Sequence, residues 1–368
     1  MQKVRILKVL AVMGIMLLLL PTNLMAERIP VAILRTNADG KTKTLTFTYA
    51  ERPKVFARRG QNGIHRLNKG MFKDKPEHYK NFNIIEDRPT WLDMKSDGGL
   101  NYVNNDKITT VKFDKSFSMA RPTSTFYWFW GLRKLKTIIG IENLNTSEVK
   151  YMTSMFKECC SLTELDVSGF NTANVESMSS MFEGCSQLKT LDISGFNTAN
   201  VQDMECMFEG CSQLETIDVS GFNTANLLGM SCMFRGCHNL KSIDISSFNI
   251  GKIVSNKYGI NDIWNNEEEK RERLHECVDD IFSGCSNLRT INIGGNDFSI
   301  FATYNADIPG DVFKGVGSID SPCRLIVNQQ FDQSVLGPKH DNGNGGFYRW
   351  LNGYFTLDTA RPESETNY

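Results

Sequence analysis

An aspartate returns at one position of a repeated segment, as Asp166, Asp192, Asp218 and Asp244, with Asn292 in the same place further on. Two residues before each stand Glu164, Thr190, Thr216 and Ser242, and two after stand Ser168, Ser194, Ser220 and Ser246. Carboxylates gathered on one face could attract a basic partner surface or loosely held cations. They could equally serve the fold, each accepting hydrogen bonds from the Ser and Thr beside it or from turn amides. On adjacent strands such groups lie about 4.8 Å apart. At that distance they repel by roughly 0.8 kcal/mol in water and several-fold more near a protein surface. A regular row therefore needs an offset, either internal or from a partner.

The cysteines recur as well. Cys159, Cys185, Cys211, Cys237 and Cys285 share one repeat position. Such a column runs along an axis and does not converge on a point, so it reads as a small apolar ladder and not as a metal centre. Cys206 and Cys232 share a second position and could bridge adjacent repeats, although a helical side usually spaces them too widely for a disulfide. Cys277 and Cys323 are another candidate pair.

Nothing in the chain assembles a reaction centre. The five histidines, His65, His78, His238, His275 and His340, form no His-Glu-x-x-His and share no repeat position. Gly-x-Ser-x-Gly and a phosphate-binding Gly-x-x-x-x-Gly-Lys are both missing. Asp341-Asn-Gly-Asn-Gly-Gly346 lacks the twelfth-position ligand of a calcium loop and reads as a turn. The expectation is no catalytic residue, no cofactor and no metal. A formal net charge of −1 gives no general attraction to a phosphate backbone, which argues against nucleic acid.

The elements that must position these columns follow from the period. Phe170-Asn-Thr-Ala-Asn-Val175 returns at Phe196 and Phe222, and more loosely at Phe248, a step of 26 residues each time. Within one copy, Val175, Met178, Met181, Phe182 and Cys185 follow the i, i+3 spacing of a helix face. Thr172 or Asn174 is placed to cap that helix and Gly184 to end it. Leu191 and Ile193 then alternate with Thr190, Asp192 and Ser194, as in a half-buried strand. A unit with one apolar edge cannot bury it alone, so the copies must stack. The fold class expected is an α/β solenoid of leucine-rich repeats of about 26 residues, with short parallel strands, short helices and a capping segment at each end.

Residues 1–26 read as a secretory signal: Lys3, Arg5 and Lys8, an apolar core from Val9 to Leu20, and a cleavage site near Ala26. The mature chain is expected to be exported with no retained membrane segment. Residues 27–120 read as a mixed β cap region, with strands at Val31–Leu34, Thr44–Tyr49 and Ile108–Phe113. The array occupies 121–300, where the aromatic run Phe126–Trp130 should plug the first coil. Its register is delayed at 254–276, a solvated excursion carrying Trp264 and the mixed-charge run Glu267–Arg273. Residues 301–368 form a C-terminal cap, with Cys323–Val327 as a closing strand and Phe347–Phe355 as a second aromatic plug.

The unit Asn-Thr-Ala-Asn-Val-x-x-Met-x-x-Met-Phe-x-Gly-Cys-x-x-Leu-x-x-Leu/Ile-Asp-Val/Ile-Ser-Gly-Phe resembles those of BspA-like leucine-rich-repeat surface proteins of bacteria. Arg121–Phe129, Gly140–Thr146 and Trp350–Phe355 are similar to flanking motifs of the same group. The resemblance implies a secreted or cell-surface, adhesin-like protein whose partner is a host matrix protein or another bacterial surface protein. On this reading the columns Glu164 to Ser168, Thr190 to Ser194, Thr216 to Ser220 and Ser242 to Ser246 are the binding face, with Trp264 as an accessory contact. The alternative is a carbohydrate-binding or envelope-scaffold module using the same polar face.

Overall fold

A computed structural model describes residues 28–51, 57, 61–66, 105–250, 252–253, 279–294, 312–328, 331, 333–336, 338–341, 347–350 and 353–359. The expected signal peptide, the 254–276 excursion with Trp264, and Cys277 lie outside the described residues.

The N-terminal end is a five-stranded sheet. Strands β1 (Arg28–Thr36) and β2 (Lys43–Glu51) pair antiparallel across a turn that Asp39 holds by accepting from the Lys41 and Thr42 amides, both at 2.8 Å. Strand β3 (Gly63–Arg66) flanks β1, while β4 (Ile108–Phe113) and β5 (Thr137–Ile139) continue from β2 in parallel. The order is β3-β1-β2-β4-β5. Alternation along β2 and β4 turns Leu45, Phe47, Val111 and Phe113 into the core.

Phe47 stacks on Trp128, with ring centroids 5.0 Å apart, and on Phe113 at 4.7 Å. The aromatic run Phe126–Trp130 is therefore covered by this sheet, and it supplies a coil of its own. The amides of Thr125, Tyr127, Phe129 and Gly131 donate to the carbonyls of Tyr151, Thr153, Met155 and Lys157 at 2.8–3.2 Å.

The coils stack as expected, but the Met-x-x-Met-Phe segments are not helices. Between residues 124 and 249 the chain forms no α-helix, only a 3-10 turn at Ile141–Asn143. Each segment is a run of consecutive turns. In the coil beginning at Met178, the amides of Met181, Glu183 and Cys185 donate to carbonyls three residues back, at 3.0–3.2 Å. The intervening amides of Met178, Ser180, Phe182 and Gly184 leave the coil and donate to Asp203, Glu205, Met207 and Glu209 at 2.7–3.0 Å.

Left-handed residues produce this alternation. Ser154, Ser180, Cys206, Cys232 and Asp280 hold φ between 54° and 57°, and Gly184, Gly210, Gly236 and Gly284 four residues on hold φ between 70° and 78°. An α-helix accommodates neither, because a left-handed residue turns its amide out of the i to i−4 series. The i, i+3 spacing survives because consecutive turns also return every third side chain to one side. Val175, Met178, Met181, Phe182 and Cys185 are all buried.

On the opposite side the expected strands are partial. Leu191 and Ile193 are buried while Thr190, Asp192 and Ser194 are exposed, so the alternation holds. Regular pairing among the coils, however, is found only toward the two ends, at β5 on β4 and at β6 (Ser242–Asp244), β7 (Thr290–Gly294) and β8 (Cys323–Val327). In the intervening coils the Ser amide turns to its own Asp two residues back, at 3.0 Å for Ser168, Ser194 and Ser220, as the Ser246 amide also does to Asp244.

Beyond β8 the sheet continues through β11 (Gly353–Thr359), β10 (Phe347–Trp350) and β9 (Lys339–His340), in the order β6-β7-β8-β11-β10-β9. One hydrophobic core runs the length of the described structure, from Ala32 to Phe355. Its spine is a file of phenylalanines, Phe129, Phe156, Phe182, Phe208, Phe234, Phe282 and Phe313, with successive centroids 5.3–5.8 Å apart. Phe282 stacks directly on Phe234 at 5.6 Å, so the delayed register leaves one coil and returns in the next. Phe313 adds a further coil, and Phe355 of β11 closes on it edge-on at 5.1 Å.

Candidate functional site

The polar columns singled out in the sequence lie together on one side of the coils. Glu164, Asp166, Ser168, Thr190, Asp192, Ser194, Thr216, Asp218, Ser220, Ser242 and Ser246 are exposed, and Asp244 is half-buried. Trp264 falls outside the described residues.

Each aspartate is held by its own turn. Asp166, Asp192 and Asp218 accept from the hydroxyls of Ser168, Ser194 and Ser220 at 2.6–2.7 Å, in addition to the amides already described. Asp244 accepts from the Ser246 amide at 2.8 Å and from the Asn292 side chain at 2.8 Å. The serine hydroxyl first, and the serine amide second, hold the carboxyls of Asp166, Asp192 and Asp218 below the ordinary carboxylate range. The nearby Asp192 charge opposes this slightly at Asp166. Bonds to the ionised form outweigh the repulsion along the row, so the offset that a row requires is internal. The carboxylates stay ionised and keep fixed orientations while facing solvent.

One repeat position away the charges are mixed. Thr163, Lys189, Glu215, Lys241 and Arg289 form a neighbouring column whose backbones are linked, Glu215 to Lys189 at 3.0 Å, Lys241 to Glu215 at 3.2 Å and Arg289 to Lys241 at 2.9 Å. Lys241 pairs with Glu215, whose carboxyl it pulls below the ordinary range. The acidic strip is thus edged by a column of mixed charge, in which Lys189, Lys241 and Arg289 stand with Glu215.

The two cysteine columns behave differently. Cys159, Cys185, Cys211, Cys237 and Cys285 are buried, and each thiol donates to a phenylalanine carbonyl of the preceding coil at 3.1–3.2 Å. Burial pushes the thiols of Cys211 and Cys285 up to about 12. These are structural donors and poor nucleophiles. Cys206 and Cys232, by contrast, are half-buried thiols on the turn-ladder side, and Glu209 faces them both. The sequence pairs the two cysteines by column, but only the stacking brings in Glu209. The described histidines lie apart, with His65 on the carbonyl of Gln61 at 2.8 Å and His238 on that of Gly284 at 2.7 Å.

Residues 204–305 match a model described as BspA type leucine rich repeat region. Over these residues the chain carries repeats similar to the BspA type. A second model, described as Mycoplasma protein of unknown function, DUF285, matches residues 115–248. No curated protein matches the chain. Among solved structures, a leucine-rich repeat protein from Bacteroides ovatus aligns over 90% of this chain and 99% of its own, at 11% identity. Its TM-score is 0.19, too low to bear on the details of the coil. The coils of this chain stack as a solenoid, with turns where helical segments were expected. No helix among the described residues is long and apolar enough to cross a membrane.

Proposed function

We propose that this BspA-like chain is an exported, non-catalytic interaction protein that binds a protein partner through its acidic strip. The observation that carries the reading is the row Asp166, Asp192 and Asp218, exposed yet each fixed and kept ionised by its own serine. Carboxylates held in place lose little freedom on binding, so a basic partner patch meets preorganised acceptors. Because the row is exposed, attraction to such a partner is screened by salt.

The test is capture of matrix proteins and glycans by the full exported chain at low and at high salt. A protein partner should be retained at low salt and lost at high salt. The triple variant Asp192→Asn, Asp218→Asn, Asp244→Asn should weaken its binding at least about tenfold, while circular dichroism stays unchanged. Equal binding by the triple variant, or salt-insensitive binding, overturns the strip as the contact surface. Retention on glycans alone supports the carbohydrate-binding module instead.

Export rests on the N-terminal pattern of Lys3, Arg5 and Lys8 before Val9 to Leu20. Amino-terminal sequencing of the protein recovered outside the cell should begin just after Ala26. Recovery of an intact Met1 in the cytoplasm would count against it.

A further inference from the structure

We propose that Cys206, Glu209 and Cys232 form a binding site for one thiophilic divalent cation of the zinc class. The two Sγ atoms and a Glu209 carboxylate oxygen all lie within 4.8 Å of one another, half-buried on the turn-ladder side of two adjacent coils. Zinc–sulfur bonds are about 2.3 Å and zinc–carboxylate bonds about 2.0–2.2 Å, so one ion placed between the three atoms reaches them all with small rotamer changes. Three protein ligands leave a fourth position for water. Two thiolates select zinc and its softer relatives over calcium or magnesium, which take oxygen ligands.

The ligands are built into the frame of the stack. The Cys206 amide donates to the Ser231 carbonyl at 2.9 Å and the Cys232 amide to the Asp279 carbonyl at 2.8 Å, which pins both backbones in the inter-coil ladder. Both cysteines share the same left-handed backbone, φ 56° and 57°, so their side chains leave adjacent coils in the same direction. Glu209 follows Cys206 by one turn, its amide donating to the Cys206 carbonyl at 3.1 Å. The equivalent position is Ser154, Ser180 and Asp280 in other described coils, so among them only these two adjacent coils carry sulfur there.

Charge is accommodated as well. Two thiolates, one carboxylate and a divalent ion leave a net single negative charge. Arg235 stands beside it, with Nε 3.8 Å from Glu209 and Nη1 3.9 Å from the Cys232 sulfur. A disulfide is the competing use of the two thiols. Coils about 4.8 Å apart fall within the Cα separations that a disulfide accepts, so the ion requires both thiols reduced, as they are here. The other cysteine column does not compete, since the thiols of Cys159, Cys185, Cys211, Cys237 and Cys285 are buried and already bonded to carbonyls.

The experiment is titration of the reduced full chain with cadmium alone, without oxygen, following the sulfur-to-cadmium charge-transfer absorption and heat of binding. One cadmium per chain is expected, displaced by zinc and not by magnesium. Cys206→Ser and Cys232→Ser should each abolish the absorption. Glu209→Gln should keep it but weaken binding on the order of tenfold or more. Cys160→Ser and Cys277→Ser should change nothing. Absence of the absorption, its persistence in the Cys206→Ser, Cys232→Ser double variant, or a Cys206–Cys232 disulfide found by peptide mapping of the exported protein each overturns the site.

Discussion

Replacing Phe208 by alanine should lower the free energy of unfolding by about 4 kcal/mol. Its ring lies flat between Phe182 at 5.7 Å and Phe234 at 5.4 Å, with interplanar angles of 7° and 8°, and it is fully buried. The cavity left behind cannot collapse readily, because the Phe208 amide is tied to the Met233 carbonyl at 2.9 Å and the Phe182 amide to Met207 at 3.0 Å. The neighbouring coils are therefore held at ladder spacing on either side of the gap. Phe208→Leu fills most of the volume and should cost about 1.5 kcal/mol or less. The position matters as much as the size. Each coil contacts only its neighbours, so a gap in the middle of the file weakens the coupling between the two ends. Urea unfolding of the alanine variant should show a lower midpoint and a shallower slope than the leucine variant. A loss below about 1.5 kcal/mol for alanine would mean that the file of rings is not what holds the coils together.

Thr198→Val should cost about 2–3 kcal/mol, although it removes no apolar contact. The buried Thr198 hydroxyl donates to the Asn223 carbonyl at 3.1 Å and accepts from the Asn223 amide at 2.7 Å. The same hydroxyl bridge joins Thr172 to Asn197 one coil earlier and Thr146 to Asn171 two coils earlier. Here a side chain stands in for the backbone pair that a regular sheet would make. Valine has the shape of threonine without the hydroxyl, so it leaves both Asn223 groups without their partner. Thr198→Ser keeps the hydroxyl and should recover at least half of the loss, measured by the same denaturant titration. Equal stability of the valine and wild-type chains would show that water replaces the bridge at no cost.

The threonine bridge also shows where the sequence could mislead. Thr172 and Asn174 stand where helix caps belong, and both do bond to backbone, yet across coils: Thr172 to Asn197, and the Asn174 amide to the Ser147 carbonyl at 2.8 Å. Asn171, Asn197 and Asn223 cap locally, each accepting from the amide two residues on at 2.9–3.1 Å. The residue types announce side-chain bonds to the backbone, but not which backbone. The acidic strip is a second instance. Alternation placed Asp192 outside and Ile193 inside, and both are so placed. That Ser194 would give its amide and hydroxyl to Asp192 needed the coordinates.

The sequence by itself determined the period, the inward residues and the outward columns, because burial repeats along the chain and each copy reports it again. A spacing of i, i+3 and i+4 is shared by a helix and by consecutive turns, so periodicity alone could not choose between them. The choice depends on where each amide finds an acceptor. In a lone unit the i−4 carbonyl of a helix is the nearest partner, whereas in the stack the next coil presents carbonyls at 2.7–3.0 Å and takes every second amide. Only the tertiary structure supplies that neighbour, and it is the same neighbour that carries Cys232 alongside Cys206 and Glu209.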